Sequence, residues 1–286
     1  MGRLTAWFLL FASLAALSCN DDGFDYVKFA VIGDYGRGGD GEAAVAGLVR
    51  SKRPDFIVTA GDNNYPTGSA DTIDENIGQF FHDYIYPYRG SYGPGAEYNR
   101  FFPVPGNHDL MDESGRAYFD YFTLPNNERY YDFVEGPVHF FAVNSDPSEP
   151  DGTTVGSVQE QWLQAKTSSS TAPWKIVYFH HAPYSSADVH GSNLYMQLWD
   201  FSAMGVAAVF SGHDHTYERI HVGPVEYFVV GAGDDHLYGF TTPVAGSQVR
   251  YNETQGAMFV RAEDDRIEFR FYAVGGELID EYVIVK

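Results

Sequence analysis

Asp34, Asp62, Asn107, His180, His213 and His215, six side chains able to hold a metal ion, stand in five short blocks, each at or just beyond the end of an apolar run. In chain order the blocks are Gly33-Asp34-Tyr35-Gly36, Gly61-Asp62-Asn63-Asn64-Tyr65, Gly106-Asn107-His108-Asp109, Val177-Tyr178-Phe179-His180 and Gly212-His213-Asp214-His215. Carboxylate, amide and imidazole groups are the ordinary protein ligands of hard and borderline cations. Taken singly, each block has an everyday explanation. An Asp after Gly is usually a turn residue or a helix cap, and a lone His at a strand end is more often a hydrogen-bonded structural residue. The last block says more, because alternate residues of an extended segment point the same way, so His213 and His215 can face neighbouring ions. Five such blocks in succession leave little room for coincidence.

That chemistry needs elements that bring the blocks together. Residues 27–32 (VKFAVI), 56–60 (FIVTA), 101–104, 174–179 (WKIVYF) and 206–210 (VAAVF) read as short buried strands, and each leads into one block. A helix is expected after the first block, with Asp40 as its N-cap and Ala44, Val45, Leu48 and Val49 on one face. From Asp71 onward, Ile73, Ile77, Phe80, Phe81 and Tyr84 repeat a helical spacing. Residues 130–134 and 138–143 suggest a strand pair, and Val158, Trp162 and Ala165 mark another helix. Beyond Tyr217, alternating runs at 226–230, 257–262, 267–272 and 278–285 predict antiparallel strands. The fold class is therefore α/β, with two packed mixed sheets flanked by helices. In open α/β sheets ligands bind beyond the carboxyl ends of strands, which is where all five blocks fall.

Composition narrows the function classes. The chain has 286 residues, 44% of them hydrophobic, enough for a large core. Its 39 acidic against 18 basic residues give a net charge of -21, which leaves little for a face that grips nucleic acid. Arg3 precedes an apolar run at residues 4–18 that is short for a membrane span and matches a secretory signal peptide. The single cysteine, Cys19, excludes a disulfide framework. Its setting, Ala16-Leu17-Ser18-Cys19, resembles the lipobox of bacterial lipoproteins, with Ala standing where Leu is commoner. The expected division is a signal peptide at 1–18, a polar link at 19–25 with a possible lipid anchor at Cys19, and a catalytic domain at 26–286. Localisation follows as exported, either lipid-anchored to a membrane surface or secreted. No Gly-x-Ser-x-Gly elbow, HExxH or GxxxxGK[ST] motif is present.

The five ordered blocks resemble those of the calcineurin-like metallophosphoesterases, and more narrowly those of the purple acid phosphatases in their short, one-domain, tartrate-resistant-like form. Relatives outside that branch usually carry Asp-x-His in the first block. Here Gly36 stands where that His would be, and Tyr65 in the second block supplies the alternative ligand. The resemblance runs from about Val27 to the C-terminus and implies a four-layer α/β/β/α sandwich. It also implies a first ion on Asp34, Tyr65 and His215, a second on Asn107, His180 and His213, and Asp62 bridging them. Carboxylate and phenolate suit Fe(III), while imidazole and amide suit a divalent ion such as Fe(II), Zn(II) or Mn(II). The implied reaction is hydrolysis of small phosphate monoesters by a metal-bound hydroxide. His108 would then donate a proton to the leaving group with Asp109 orienting it, and His190 would face the substrate phosphate. His181 is expected to point elsewhere, and His82, His139, His221 and His236 to be surface or structural residues. Two other functions fit the same blocks: a surface lipoprotein that binds metal or phosphate without turnover, and a diesterase or nucleotidase whose substrate choice lies in loops such as 146–156.

Overall fold

The computed structural model describes residues 26–286. The expected signal peptide and the whole of the expected polar link at 19–25, Cys19 included, lie outside the described residues. The first sheet takes six strands: β1 (Val27–Ile32), β2 (Phe56–Thr59), β3 (Phe101–Pro103), β11 (Gly256–Ala262), β12 (Arg266–Ala273) and β13 (Leu278–Val285), in the spatial order β13-β12-β11-β1-β2-β3. The second takes seven: β4 (Tyr131–Glu135), β5 (Val138–Ala142), β6 (Trp174–His181), β7 (Ala208–Gly212), β8 (Tyr217–Val222), β9 (Val225–Val230) and β10 (Ser247–Tyr251), ordered β10-β8-β9-β7-β6-β5-β4. Both are mixed. β1, β2 and β3 run parallel, as do β5, β6, β7 and β9, while the outer strands are antiparallel. β9 thus departs from the purely antiparallel C-terminal region expected, since it lies parallel to β7 and antiparallel to β8.

Aromatic rings fill the space between the sheets. Phe29 of β1 meets Phe140 of β5 edge-on at 4.9 Å, Phe228 of β9 stacks on Phe269 of β12 at 4.8 Å, and Tyr217 of β8 stacks on Phe271 at 4.0 Å. Rings of this size each bury a large apolar area, and their preferred geometries fix how the sheets sit on one another. A separate apolar cluster lies on the outer face of the second sheet, where Leu163 of α4 (Val158–Ser169) packs with Val177, Phe179, Trp199 and Phe201. α1 (Gly39–Lys52) covers the first sheet through Val45, Ala46, Leu48 and Val49. Helix, sheet, sheet and helix make the expected four layers.

Several local expectations change. Asp40 is not the cap of α1. Gly38 is, in a left-handed conformation (φ 72°) open to glycine, and Glu42 reaches back to accept its N–H at 2.7 Å. Ala44 is exposed, so the buried stripe is narrower than its sequence suggests. In α4, Val158 and Ala165 face solvent, and Gln159, Glu160, Leu163 and Thr167 face inward. Gln159 is tolerated there because its amide meets both backbone groups of Asn144, accepting from N–H at 2.8 Å and donating to C=O at 2.9 Å. The helical stretch after Asp71 is irregular: a π turn at Asp74–Gly78, a single α turn, α2 (Gln79–Phe81), and a 3₁₀ turn at His82–Tyr84. All five of its apolar positions are nevertheless buried. The remaining helices are short, α3 (Arg116–Tyr121) and α5 (Leu194–Gln197), and β7 begins at Ala208 rather than at 206. Among the described residues, no helix is long and apolar enough to cross a membrane.

Candidate metal centre

Five parallel strands deliver the five blocks to one place. β1, β2 and β3 bring Asp34, Asp62 and Asn107 from the first sheet, while β6 and β7 bring His180, His213 and His215 from the second. His180 lies within β6 itself, not in the loop after it. Asp34, Asp62 and His213 all adopt positive φ (55°, 52° and 70°), a region that non-glycine residues seldom occupy and that tends to accumulate at functional sites. The glycines of the blocks admit neighbouring blocks. A Cβ on Gly212 would stand 2.3 Å from Asp34 Oδ2, and one on Gly106 would stand 2.1 Å from Asp62 Oδ1. Only a residue without a side chain lets those carboxylates approach so closely.

The converging atoms are mostly acceptors. Asp62 Oδ2 lies 3.0 Å from Tyr65 Oη and 3.4 Å from His180 Nε2. Tyr65 Oη is also 3.1 Å from His215 Nε2 and 3.4 Å from Asp34 Oδ1. On the other flank His180 Nε2 is 3.0 Å from Asn107 Oδ1 and 3.1 Å from His213 Nδ1. Two of the imidazoles are oriented by backbone carbonyls: His180 Nδ1 donates to Ala60 O and His215 Nδ1 to His236 O, each at 2.9 Å. Those bonds turn each Nε2 toward the centre, the nitrogen that would bind a cation once it carries no proton. Asp34, Asp62 and His180 alone place ligand atoms within 4.8 Å of one another. A dense set of carboxylate, phenol, amide and imidazole acceptors fits cations chemically, and the residues present match that need.

Without ions the charges are in tension. Burial, with the nearby Asp62 charge adding to it, raises the Asp34 carboxyl well above its usual value, against the His180 charge. Burial opposes the charged form of Asp62 too, but His180 and then His108 outweigh it and hold Asp62 below the ordinary range. His180 shows the reverse: burial would lower it, yet Asp62 and Asp34 lift it to about 10. Burial pushes the Tyr65 phenol well up, reinforced by Asp34 and Asp62. His215 is lowered to about 4 and His213 is lowered further, in both cases chiefly by burial. The pocket thus holds protons where a metal centre would hold cations.

The other expected site residues fall into place unevenly. His108 N–H donates to Asp62 Oδ1 at 2.9 Å, its Nδ1 meets Pro66 O at 2.6 Å, and its Nε2 lies 4.0 Å from Asp62 Oδ2. Asp109 does not orient it. The Asp109 carboxylate is buried and accepts from Gly106 N–H at 2.8 Å and from the Asn63 amide at 2.8 Å, tying the third block to the second. His190 does reach the site, with its ring stacked on His213 at 3.9 Å and its N–H bonded to Asp214 Oδ1 at 3.2 Å. His181 does not point away: its ring packs 4.5 Å from His213 while Ser145 Oγ holds its Nδ1. Three neighbours escaped the sequence reading. Arg37 places its guanidinium 4.1 Å over the Tyr65 ring and pairs with Asp234, which lies 3.5 Å from His215 Nδ1. Tyr238 stacks on His215 at 4.2 Å. Arg37 follows Gly36 directly, so its nearness to the first block is legible in the sequence. Asp234 and Tyr238 sit in a loop after β9 that carries no pattern.

Comparison with known proteins agrees with this geometry. The profile of the family described as calcineurin-like phosphoesterase matches residues 27–217. Purple acid phosphatase 17 of Arabidopsis thaliana is 28% identical, covering 91% of this chain and 85% of its own. Among solved structures, the yellow lupin purple acid phosphatase PPD1 superposes with a TM-score of 0.74 at 17% identity, over 92% of this chain and 54% of that one. GAP50, the anchor in the inner membrane complex of Plasmodium, superposes with a TM-score of 0.71 at 19% identity, over 91% and 89%. The two superpositions speak for the fold alone. With the five blocks gathered into one acceptor-lined centre and the family profile spanning most of the domain, the chain belongs to the calcineurin-like phosphoesterase family, is similar to the purple acid phosphatases over nearly its whole length, and is a phosphoester hydrolase.

Proposed function

We propose that this chain is an exported phosphomonoesterase with two metal ions, of the purple acid phosphatase kind. The observation that carries the reading is the position of Asp62 Oδ2, which faces Tyr65 on one flank and His180 on the other. Asp34, Tyr65 and His215 would hold Fe(III), Asn107, His180 and His213 a divalent ion such as Fe(II), Zn(II) or Mn(II), and Asp62 both. Two such ions supply Lewis acidity to the phosphoryl oxygens and to water. The chain's own residues do the rest. With Nδ1 donating to the Pro66 carbonyl, His108 presents Nε2 to the centre, where in its protonated form it hands a proton to the departing alkoxide oxygen. His190, whose ring stacks on His213 and whose backbone N–H donates to Asp214 Oδ1, would present its imidazole to the substrate phosphate. Asp109 acts on the scaffold, holding the second and third blocks together.

Metal analysis combined with colour tests the assignment. Iron-loaded protein should absorb visible light through a phenolate on Fe(III), and Tyr65→Phe should bleach it with the fold intact. Full activity in a colourless, iron-free protein would overturn the purple reading, as would colour that survives in Tyr65→Phe. A substrate panel of monoesters, diesters and nucleotides separates this reading from a diesterase or nucleotidase. Export is tested at Cys19: Cys19→Ala should move the protein from membranes into soluble exported fractions, and an intact mass without lipid would favour simple secretion.

A further inference from the structure

The first ion's flank carries a cation that the hydrolytic reaction does not use. Arg37 follows the first block directly, and two contacts fix its plane. Its guanidinium lies over the Tyr65 ring at 4.1 Å, and its Nε is bound by Asp234. The Asp234 side chain is itself fully buried and accepts the His236 N–H at 2.7 Å, so the anchor does not swing. Among the described residues the two terminal amino groups of Arg37 have no hydrogen-bond partner, and 42% of the side chain is open to solvent. Tyr65, the ring that carries Arg37, also packs 4.5 Å from the His108 ring, so this guanidinium shares a neighbour with the group that meets the leaving oxygen.

A planar donor fork held on one edge and one face, with its far edge free, is preorganised to bind an oxyanion through two parallel hydrogen bonds. We propose that Arg37 forms an anion subsite at the rim of the centre. It takes the second anionic group of substrates in which a phosphate or carboxylate stands beside the scissile phosphate, diphosphates being the simplest. The inference rests on the phosphatase reading and adds a substrate class to it. Directed donors carry it rather than net charge, because Asp234 already balances the guanidinium. An aryl phosphate has no second anion to offer, so Arg37 distinguishes the two classes.

The test compares diphosphate with an aryl phosphate in the metal-loaded, mature protein. In the wild type, diphosphate should inhibit aryl phosphate hydrolysis at about tenfold lower concentration than orthophosphate does. In Arg37→Met and Arg37→Gln the ratio of kcat/KM for diphosphate to that for aryl phosphate should fall about tenfold, and Arg37→Lys should recover part of it, since an ammonium keeps the charge without the fork. A parallel fall for both substrates would show that Arg37 merely supports Tyr65, and an unchanged ratio would show that nothing binds there. Either result overturns the subsite. A wild type that turns over aryl phosphate but holds diphosphate no better than orthophosphate overturns it without any variant. A wild type that hydrolyses neither substrate removes the phosphatase reading and the subsite with it.

Discussion

Asp34, Tyr65 and His215 are all buried, whereas on the opposite flank Asn107 and His213 are half-exposed and His180 alone is enclosed. Their surroundings differ as well. Behind the first flank stand Arg37, Asp234 and Tyr238, which grip the outside of its tyrosine and histidine. Around the second stand more imidazoles, with His181 and His190 both against His213. The ligands of one flank are enclosed, with Arg37 opening to solvent at its rim, while two ligands of the other are themselves open to what arrives. On the proposed two-ion reading, the oxygen-rich, enclosed set would retain a strongly polarising ion and the imidazole-rich, more open set would suit a divalent one.

Asp62 is where the two flanks join, so the largest effect is expected there. On the proposed two-ion reading both ions would depend on this one carboxylate, so Asp62→Asn should lower phosphate release by roughly 10⁴-fold and deplete both in elemental analysis. Retention of either ion at full occupancy would mean that the flanks are independent. Next comes His108, whose N–H donates to Asp62 Oδ1 and which the proposed reading does not count as a ligand. His108→Ala should keep both metals and lose about 10²-fold in turnover, with a smaller loss for leaving groups that need no proton. Equal losses for good and poor leaving groups would leave it without the proton role. A finer contrast lies in pH. Ion-free Asp34 and Tyr65 are both pushed up by burial, so the first flank has two protons to displace, while on the second only His180 is raised. Below the pKa of Asp34, affinity should therefore fall about a hundredfold per pH unit on the first flank and about tenfold on the second. Proton release measured calorimetrically in buffers of different ionisation enthalpy reads those slopes, and equal slopes would erase the distinction. The smallest effect is a control. Ser157→Ala removes the cap that accepts the Glu160 N–H at 3.2 Å, and should cost about 1 kcal/mol in thermal or denaturant unfolding while leaving the metal ratio untouched.

The two flanks also differ in how far the sequence disclosed them. All seven candidate ligands lie in blocks that follow a hydrophobic strand; strand pattern together with residue type points to six of them, and Tyr65 enters only through the family resemblance. Their supports were mostly hidden. Asp109 sits beside His108 in sequence, but a turn sends its carboxylate to Gly106 and Asn63, and adjacency in a loop says little about direction. Asp234 and Tyr238 come from a loop after the second sheet's β9, and their approach to His215 depends on how the sheets stack, which no local window contains. Periodicity located α1 and α4 with their faces imperfectly drawn, read the broken helical stretch after Asp71 as regular, and gave no sign of α3 or α5. In α4, Gln159 and Thr167 displace Val158 and Ala165 from the interior because hydrogen bonds to Asn144 and Leu163 make their burial tolerable. The expected signal peptide and the role of Cys19 belong to residues whose reading stands on sequence alone.

The close approach of Gly106 to Asp62 and of Gly212 to Asp34 bears on any attempt to rebuild this protein from parts. Each glycine leaves room for a carboxylate carried by a different strand, so the space it creates is shared property of two loops far apart in the chain. A loop transplanted singly from a relative would arrive cut to fit a partner left behind. Chimeras should therefore succeed when the first and fifth blocks, or the second and third, are exchanged together, and fail when they are exchanged one at a time. The unit of modular exchange in this centre is a pair of loops.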